Sequence, residues 1–264
     1  MHPNTFIEQL WQGAESDRVF VAMQFGEDFD VRYNHVLRPA IEAVQYRGKP
    51  LVPTRVDESR TGDSILTEII RGVCEARLVL VDVSDISNDP SASSTPIRNG
   101  NVMYELGLAH AVKSPAKVLI VRDDSKKLLF DVSSIPHHIV NFTDTAKAKA
   151  EITKLLVDRL QESEAIDDIK LRAVIDTVSE AEVAVLLQLF KASSSPGVDL
   201  TIDSSGKRIM PLNTSAAVRS LVGHGLVRSH LKLNPFKTLY SLTDRGTRAF
   251  HKILSVLRDD KDEI

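Results

Sequence analysis

The chain has 264 residues, of which 42% are hydrophobic and 26% charged, with a formal net charge of −3. That composition is ordinary for a globular protein, and no apolar run reaches the ~20 residues that span a bilayer. A single cysteine, Cys74, excludes an internal disulfide and a thiolate metal cluster, and Met1–Gly13 lacks the basic and apolar regions of a signal peptide, so a cytoplasmic location is expected.

Taken in chain order, apolar runs alternate with helical patterns through about residue 162. Val19–Met23 reads as a first strand, and Tyr33–Val44 as a helix with Val36, Leu37, Ala40, Ile41 and Val44 at helical spacing. Pro50–Pro53 is a short second strand, and Ser64–Glu75 a helix with Ile65, Ile69, Ile70 and Val73 on one stripe. Leu78–Val83 is the third strand, followed by a Ser-, Asn-, Asp- and Pro-rich loop from Ser84 to Gly100 and a helix starting near Asn101. Lys117–Val121 and His138–Phe142 supply the fourth and fifth strands, and a helix runs from Thr145 to Gln161. This alternation predicts an α/β fold: an open, mostly parallel five-stranded Rossmann- or flavodoxin-like sheet with helices on both faces. A loop as long as Ser84–Gly100 is either functional, as a lid over a ligand crevice, or disordered.

Beyond residue 162 the pattern changes. A polar helical linker is expected over 163–178, dividing an α/β domain at 1–162 from a small α+β domain at 179–264. That second domain reads as helices at Ala181–Ala192 and Thr214–Gly225, a hairpin of Val227–Leu233 and Thr238–Leu242 turning at Asn234-Pro235, and a closing helix at Asp244–Leu257; Ser193–Gly206 reads as loop and a short strand. Charge follows the same division. Residues 1–180 carry 21 Lys/Arg against 28 Asp/Glu, whereas 181–264 carry 12 against 8. A basic C-terminal part raises the expectation of a phosphate-bearing partner there.

The segment Asn101-Val-Met-Tyr104-Glu105-Leu-Gly-Leu-Ala-His110-Ala111 concentrates the chemistry. With Asn101 as N-cap, Glu105 lies about one turn inside a helix that starts beyond the carboxyl end of a strand, where open α/β sheets bind ligands. The positive helix end would favour its ionised form. On the residues alone Glu105 is equally a first-turn glutamate worth about 0.3–1 kcal/mol of helix stability. Asp82 and Asp85 can end a strand or cap a turn, and Tyr104 can pack beside the sheet. His110 points to another helix face from Glu105, and His137 and His138 have no partner at metal-ligand spacing, so neither a metal nor a resident cofactor is expected.

This segment, with Val19–Phe25, Val79–Asp85 and Phe130-Asp131, resembles the nucleoside 2-deoxyribosyltransferase-like branch of the TIR-like superfamily over residues 17–145. The resemblance implies cleavage of an N-glycosidic bond in a nucleoside, a nucleotide or NAD, with Glu105 as catalytic nucleophile or stabiliser of the oxocarbenium-like transition state. Asp82 and Asp85 would accept hydrogen bonds from sugar hydroxyls, Gln24, Phe25 and Gly26 would contact base or phosphate, and Asn101 and Tyr104 would border the pocket. Arg98-Asn99-Gly100 replaces the Asn-Pro of many relatives, which leaves the substrate open and admits binding without cleavage. Sites of this class are often completed by neighbouring subunits, so a homo-oligomer is expected.

The C-terminal part resembles winged-helix modules through Leu221–Val227 and Tyr240–Gly246. The resemblance implies that Arg219, Arg228, Lys232 and Lys237 meet DNA phosphates; the bland alternative is a solvated dimerisation or docking face. Three function classes follow: a glycosidic-bond-cleaving enzyme of the kind found among bacterial antiviral effectors, a nucleotide sensor controlling a DNA-binding winged helix, and an assembly protein. The first is the expectation carried forward.

Overall fold

A computed structural model describes residues 15–56, 65–87, 96–126, 128, 133–193, 195, 197–200, 212–233 and 236–262. Phe130 and Asp131, the Asn234-Pro235 turn and residues 88–95 of the long loop lie outside them.

The first unit extends to Glu164. Its centre is a five-stranded sheet in the order β4 (Val52–Thr54), β1 (Arg18–Ala22), β5 (Leu78–Asp82), β6 (Val118–Arg122), β7 (His138–Ile139), with each neighbouring pair parallel. This is the flavodoxin-like order, in which the chain changes direction of travel between β1 and β5. Every residue of β5 and β6 is buried. Strict alternation then divides their side chains between two cores. Val19, Val21, Leu78, Leu80, Leu119 and Val121 pack on one face; Phe20, Ala22, Val79, Val81, Val118 and Ile120 pack on the other. Burial on both faces is why these strands read as unbroken apolar runs.

On the first face lie α1 (Glu27–Arg32), a π-helical turn (Tyr33–Leu37), α2 (Arg38–Glu42) and the start of α5 (Thr145–Ile175). The helix predicted at Tyr33–Val44 thus begins earlier and is interrupted. Proline 39 has no N–H for the carbonyl four residues back and its ring crowds that carbonyl, and the wide turn just before α2 accommodates both. On the second face lie α3 (Ile65–Glu75) and α4 (Gly100–Val112), the latter buried through Val102, Leu106 and Ala109. Between α2 and β4 the chain makes a small antiparallel ribbon, β2 (Gln45–Tyr46) with β3 (Lys49–Pro50), turning at Arg47-Gly48, both with positive φ. The predicted second and fifth strands are shorter than expected or shifted, each by a few residues.

Helix α5 continues without a break from Thr145 to Ile175, so the segment expected as a separate polar linker is the second half of a 31-residue helix. The second unit runs from Ala165 to Ile264. It contains α6 (Glu180–Lys191), α7 (Leu212–Gly223), the hairpin β8 (Val227–Leu233) with β9 (Phe236–Leu242), and α8 (Asp244–Asp262). Val198 bridges Tyr240 and adds one residue to the hairpin edge. A third core gathers Leu171, Val185, Leu186, Leu189, Val218, Leu221, Leu226 and Phe250. No helix among the described residues is long and apolar enough to cross a membrane.

Candidate active site

Six aspartates and serines gather where β5 and β6 end, and alternation sorts them onto the two faces. Asp82 points to the α1 face. Its carboxylate receives Arg32 Nη1 at 2.7 Å through Oδ2, and Ser84 N and Oγ at 3.0 and 2.5 Å through Oδ1. Arg32 also donates to Ser84 Oγ at 2.8 Å and to Asp123 at 2.6 Å, and its guanidinium lies 4.9 Å from the Phe29 ring centroid and 4.0 Å from that of Phe142. The Asp82 side chain is 0% exposed. Its oxygens are therefore occupied from within, and in this conformation it offers nothing to a sugar hydroxyl, contrary to the expectation from sequence.

Asp85 and Asp124 are tied together on the α4 face. Asp85 accepts from Ser87 N and Oγ, from Ile97 N and from Lys126 Nζ. Burial pushes its carboxyl up, but these hydrogen bonds outweigh it and hold the group far below the usual carboxylate range. Asp124 takes both Nη atoms of Arg98, at 2.6 and 2.9 Å, together with Asp85 N and Lys126 N. Asp85 is thus also held by its own chain rather than presented to a ligand.

Glu105 differs. The true N-cap of α4 is Asn99, whose side chain accepts from Asn101 N and Val102 N, so Asn101 is the second helical residue and Glu105 the sixth. Two features mislead a reading from sequence: Gly100 is tolerated at the first helical position, and both asparagines suit a cap. Glu105 therefore stands in the second turn, beyond the reach of the helix-end field, and no acid occupies the first turn. Desolvation governs it instead. Partly buried and without a hydrogen bond or ion pair to any described residue, its carboxyl is pushed up to about 7. The expected ionising effect of the helix end is overturned for that reason. Glu105 and Asp82 also lie on opposite faces of the sheet, since α4 joins the Val79–Val81 core and Asp82 the Leu78–Leu80 face.

The remaining predicted residues sit as follows. Gln24, Phe25 and Gly26 form the turn after β1. The Gln24 Oε1 is buried and finds no partner among the described residues, Phe25 is 52% exposed with Arg55 over its ring at 5.1 Å, and Gly26 has φ +138°, a conformation that favours glycine. Tyr104 is 55% exposed rather than packed, and Asn101 is exposed. A polar cleft of about 310 Å³ opens between α1 and the β7–α5 turn, lined by Asp28, Arg32, His35, Asp123, Asn141, Phe142 and Thr143 among others. None of the predicted site residues lines it. Arg32, Arg98 and Lys126 were missed from sequence because a lone basic residue carries no sign of an acid 26 to 50 positions away. In the second unit, Arg228, His230 and Lys232 alternate along β8 on one face, and Lys232 pairs in register with Lys237. Arg219, on α7, is exposed.

Among the described residues, no group of three or more His, Cys, Asp or Glu could hold a metal ion. The geometry defines the first unit as an open parallel α/β sheet of flavodoxin-like order, with Glu105 on α4 a desolvated carboxyl that has no partner among the described residues. No family model and no curated protein matches this chain. Among solved structures it is similar to a 2-desoxiribosyltransferase from Leishmania mexicana, at 21% identity and a TM-score of 0.30; the match covers 40% of this chain and 65% of that one.

Proposed function

We propose that the first unit breaks or transfers the N-glycosidic bond of a nucleoside, a nucleotide or NAD, with Glu105 acting on the anomeric carbon. The observation that supports this reading is the isolation of Glu105. Asp82, Asp85, Asp123 and Asp124 each have a cation of this chain, whereas Glu105 has no partner among the described residues and is partly desolvated. An acid kept in that state costs stability, and such a cost is common at sites that meet charge developing in a substrate. As the glycosidic bond lengthens, positive charge grows on the anomeric carbon and ring oxygen. The ionised Glu105 would stabilise that charge or attack the carbon from the face opposite the departing base. Gln24, Phe25, Asn101 and Tyr104 would border the base and sugar, and a turn of the Gln24 side chain toward the ligand would bring its Oε1, without a partner among the described residues, to a base amino group.

The test is release of free base from NAD and a panel of nucleosides and nucleotides, followed by chromatography and mass spectrometry. Wild type should release one base, and Glu105→Gln should lower the rate by about 10²-fold or more. Because either role needs the carboxylate, kcat should rise through about pH 7. No release by concentrated wild type, with a nucleotide that raises Tm without being consumed, would replace catalysis with nucleotide sensing.

One observation favours that sensing alternative, in which a winged-helix-like second unit meets DNA. Lys232 and Lys237 lie directly opposite one another, a like-charge pairing that disfavours the hairpin unless an anion lies near. Binding to a DNA duplex should then weaken steeply with salt, and Lys232→Ala with Lys237→Ala should reduce the slope by about 2.

A further inference from the structure

Helix α4 has an unusual weakness. Val102, Met103, Tyr104, Leu106, Leu108, Ala109, Ala111 and Val112 spread apolar side chains around its whole circumference, so its hydrophobic pattern barely distinguishes one rotation from another. Burial is also non-directional and fixes poorly how far a helix slides along its axis. Something else must set the register of a side chain in its second turn.

The residue immediately before the N-cap supplies it. Arg98, with a side chain only 3% exposed, places its planar fork on both oxygens of Asp124 and also donates to Val83 O at 2.5 Å. Asp124 in turn receives Asp85 N, Ile86 N bonds Ile97 O, and Lys126 reaches Asp85. The two ends of the β5–α4 connection are thereby joined to each other and to the exit of β6. At its far end α4 is tied by Lys113 Nζ to Cys74 O and Glu15, but Glu105 is nearer the Arg98 end.

We propose that Arg98, through its two-pronged bond to Asp124, is the positioning residue that sets the rotation and depth of Glu105 on the helix that packs against this face of the sheet. The inference rests on Glu105 being the reacting carboxylate, since otherwise its exact placement would have no consequence. A bidentate charge-assisted pair is directional where apolar contact is not, and displacement of a reacting group by about 1 Å can cost ~10²-fold in rate.

Arg98→Met removes the fork and keeps the apolar stem; Arg98→Lys keeps the charge and loses the two-pronged geometry. Two readouts are needed. The first is the titration of the Glu105 carboxyl by ¹³C NMR without substrate, its signal assigned by disappearance in Glu105→Gln. Loss of a nearby cation, or exposure of Asp124 as an uncompensated anion, would push the Glu105 midpoint up. Movement of Glu105 out of its desolvated place would bring it down. Arg98→Met should therefore lower the midpoint from about 7 toward 4.5, with Arg98→Lys between. The second readout is the split between kcat and KM: kcat should fall about 10²-fold in Arg98→Met with KM changed far less. A folded Arg98→Met protein whose Glu105 midpoint stays at or above the wild-type value overturns the proposal. If Arg98→Met does not fold, a wild-type midpoint in Arg98→Lys overturns it. Absence of base release by wild type would count against the proposed reaction and leave the titration to judge Arg98 by itself.

Discussion

Glu105 and Asp85 stand on the same face of one sheet, and their surroundings drive them in opposite directions. Asp85 gathers Lys126, Ser87 and the Ile97 N–H and is held ionised, while Glu105 has no partner among the described residues and is pushed up to about 7. Carboxyls separated in this way are suited to different tasks, one to hold structure and the other to change charge. A consequence for stability follows. The folded protein keeps a proton on Glu105 that the unfolded chain has released between about pH 4.5 and 7, so wild-type stability falls as pH rises through that interval. Glu105→Gln lacks this slope. Its Tm should match the wild type's near pH 4 and exceed it above pH 7, by about 2–4 °C for each kcal/mol relieved; a gap independent of pH would show that Glu105 is not desolvated. Asp82 carries the opposite prediction. Fully buried and bonded to Arg32 and Ser84, it cannot be removed without leaving Arg32 half-paired, so Asp82→Ala should cost about 3–5 kcal/mol in urea unfolding.

The helices and strands show what a sequence discloses and what it conceals. Strands β1, β5 and β6 were legible because burial on both faces leaves apolar runs, and the β8–β9 hairpin because its strands are bounded by Asn and Pro. The start of α4 was misplaced by two residues because a cap is defined by its side-chain bond, and Asn99 and Asn101 are equivalent until one of them makes it. The π-helical turn before α2 was hidden because Pro39 marks a disturbance without saying how the chain absorbs it. Of the candidate site, Glu105 was singled out through the string around it. The internal partners of Asp82 and Asp85 were not legible, since Arg32 and Lys126 come from distant elements. Close approach of backbones is equally silent in sequence. A Cβ on Gly246 of α8 would stand 1.9 Å from Leu226 O, because this helix starts against the turn before β8. Gly246→Ala should destabilise the second unit by about 1–3 kcal/mol, and Ser179→Ala, which removes the capping box of α6, by about 1 kcal/mol. Both are readable as shifts of the thermal midpoint.

Among the described residues, three cores share no residue. Two flank the sheet of the first unit, and the third belongs wholly to the second. The cores of the two units take different stretches of α5: Ile152, Leu156 and Leu160 enter the first, Leu171 the second. Between them the sequence is mostly Glu, Asp, Gln and Ser, with Ile169 68% exposed, so the helix there gains little from apolar burial. Cooperativity is transmitted by shared burial, and a polar helical stretch carries little of it. Calorimetry should therefore resolve two unfolding transitions rather than one. Asp82→Ala should lower one of them and leave the other within about 0.5 kcal/mol of wild type, whereas Gly246→Ala should do the reverse, as distant and independent sites require. A single transition moved equally by both substitutions would mean that α5 couples the two units through its backbone alone, and each unit's stability would then depend on the other.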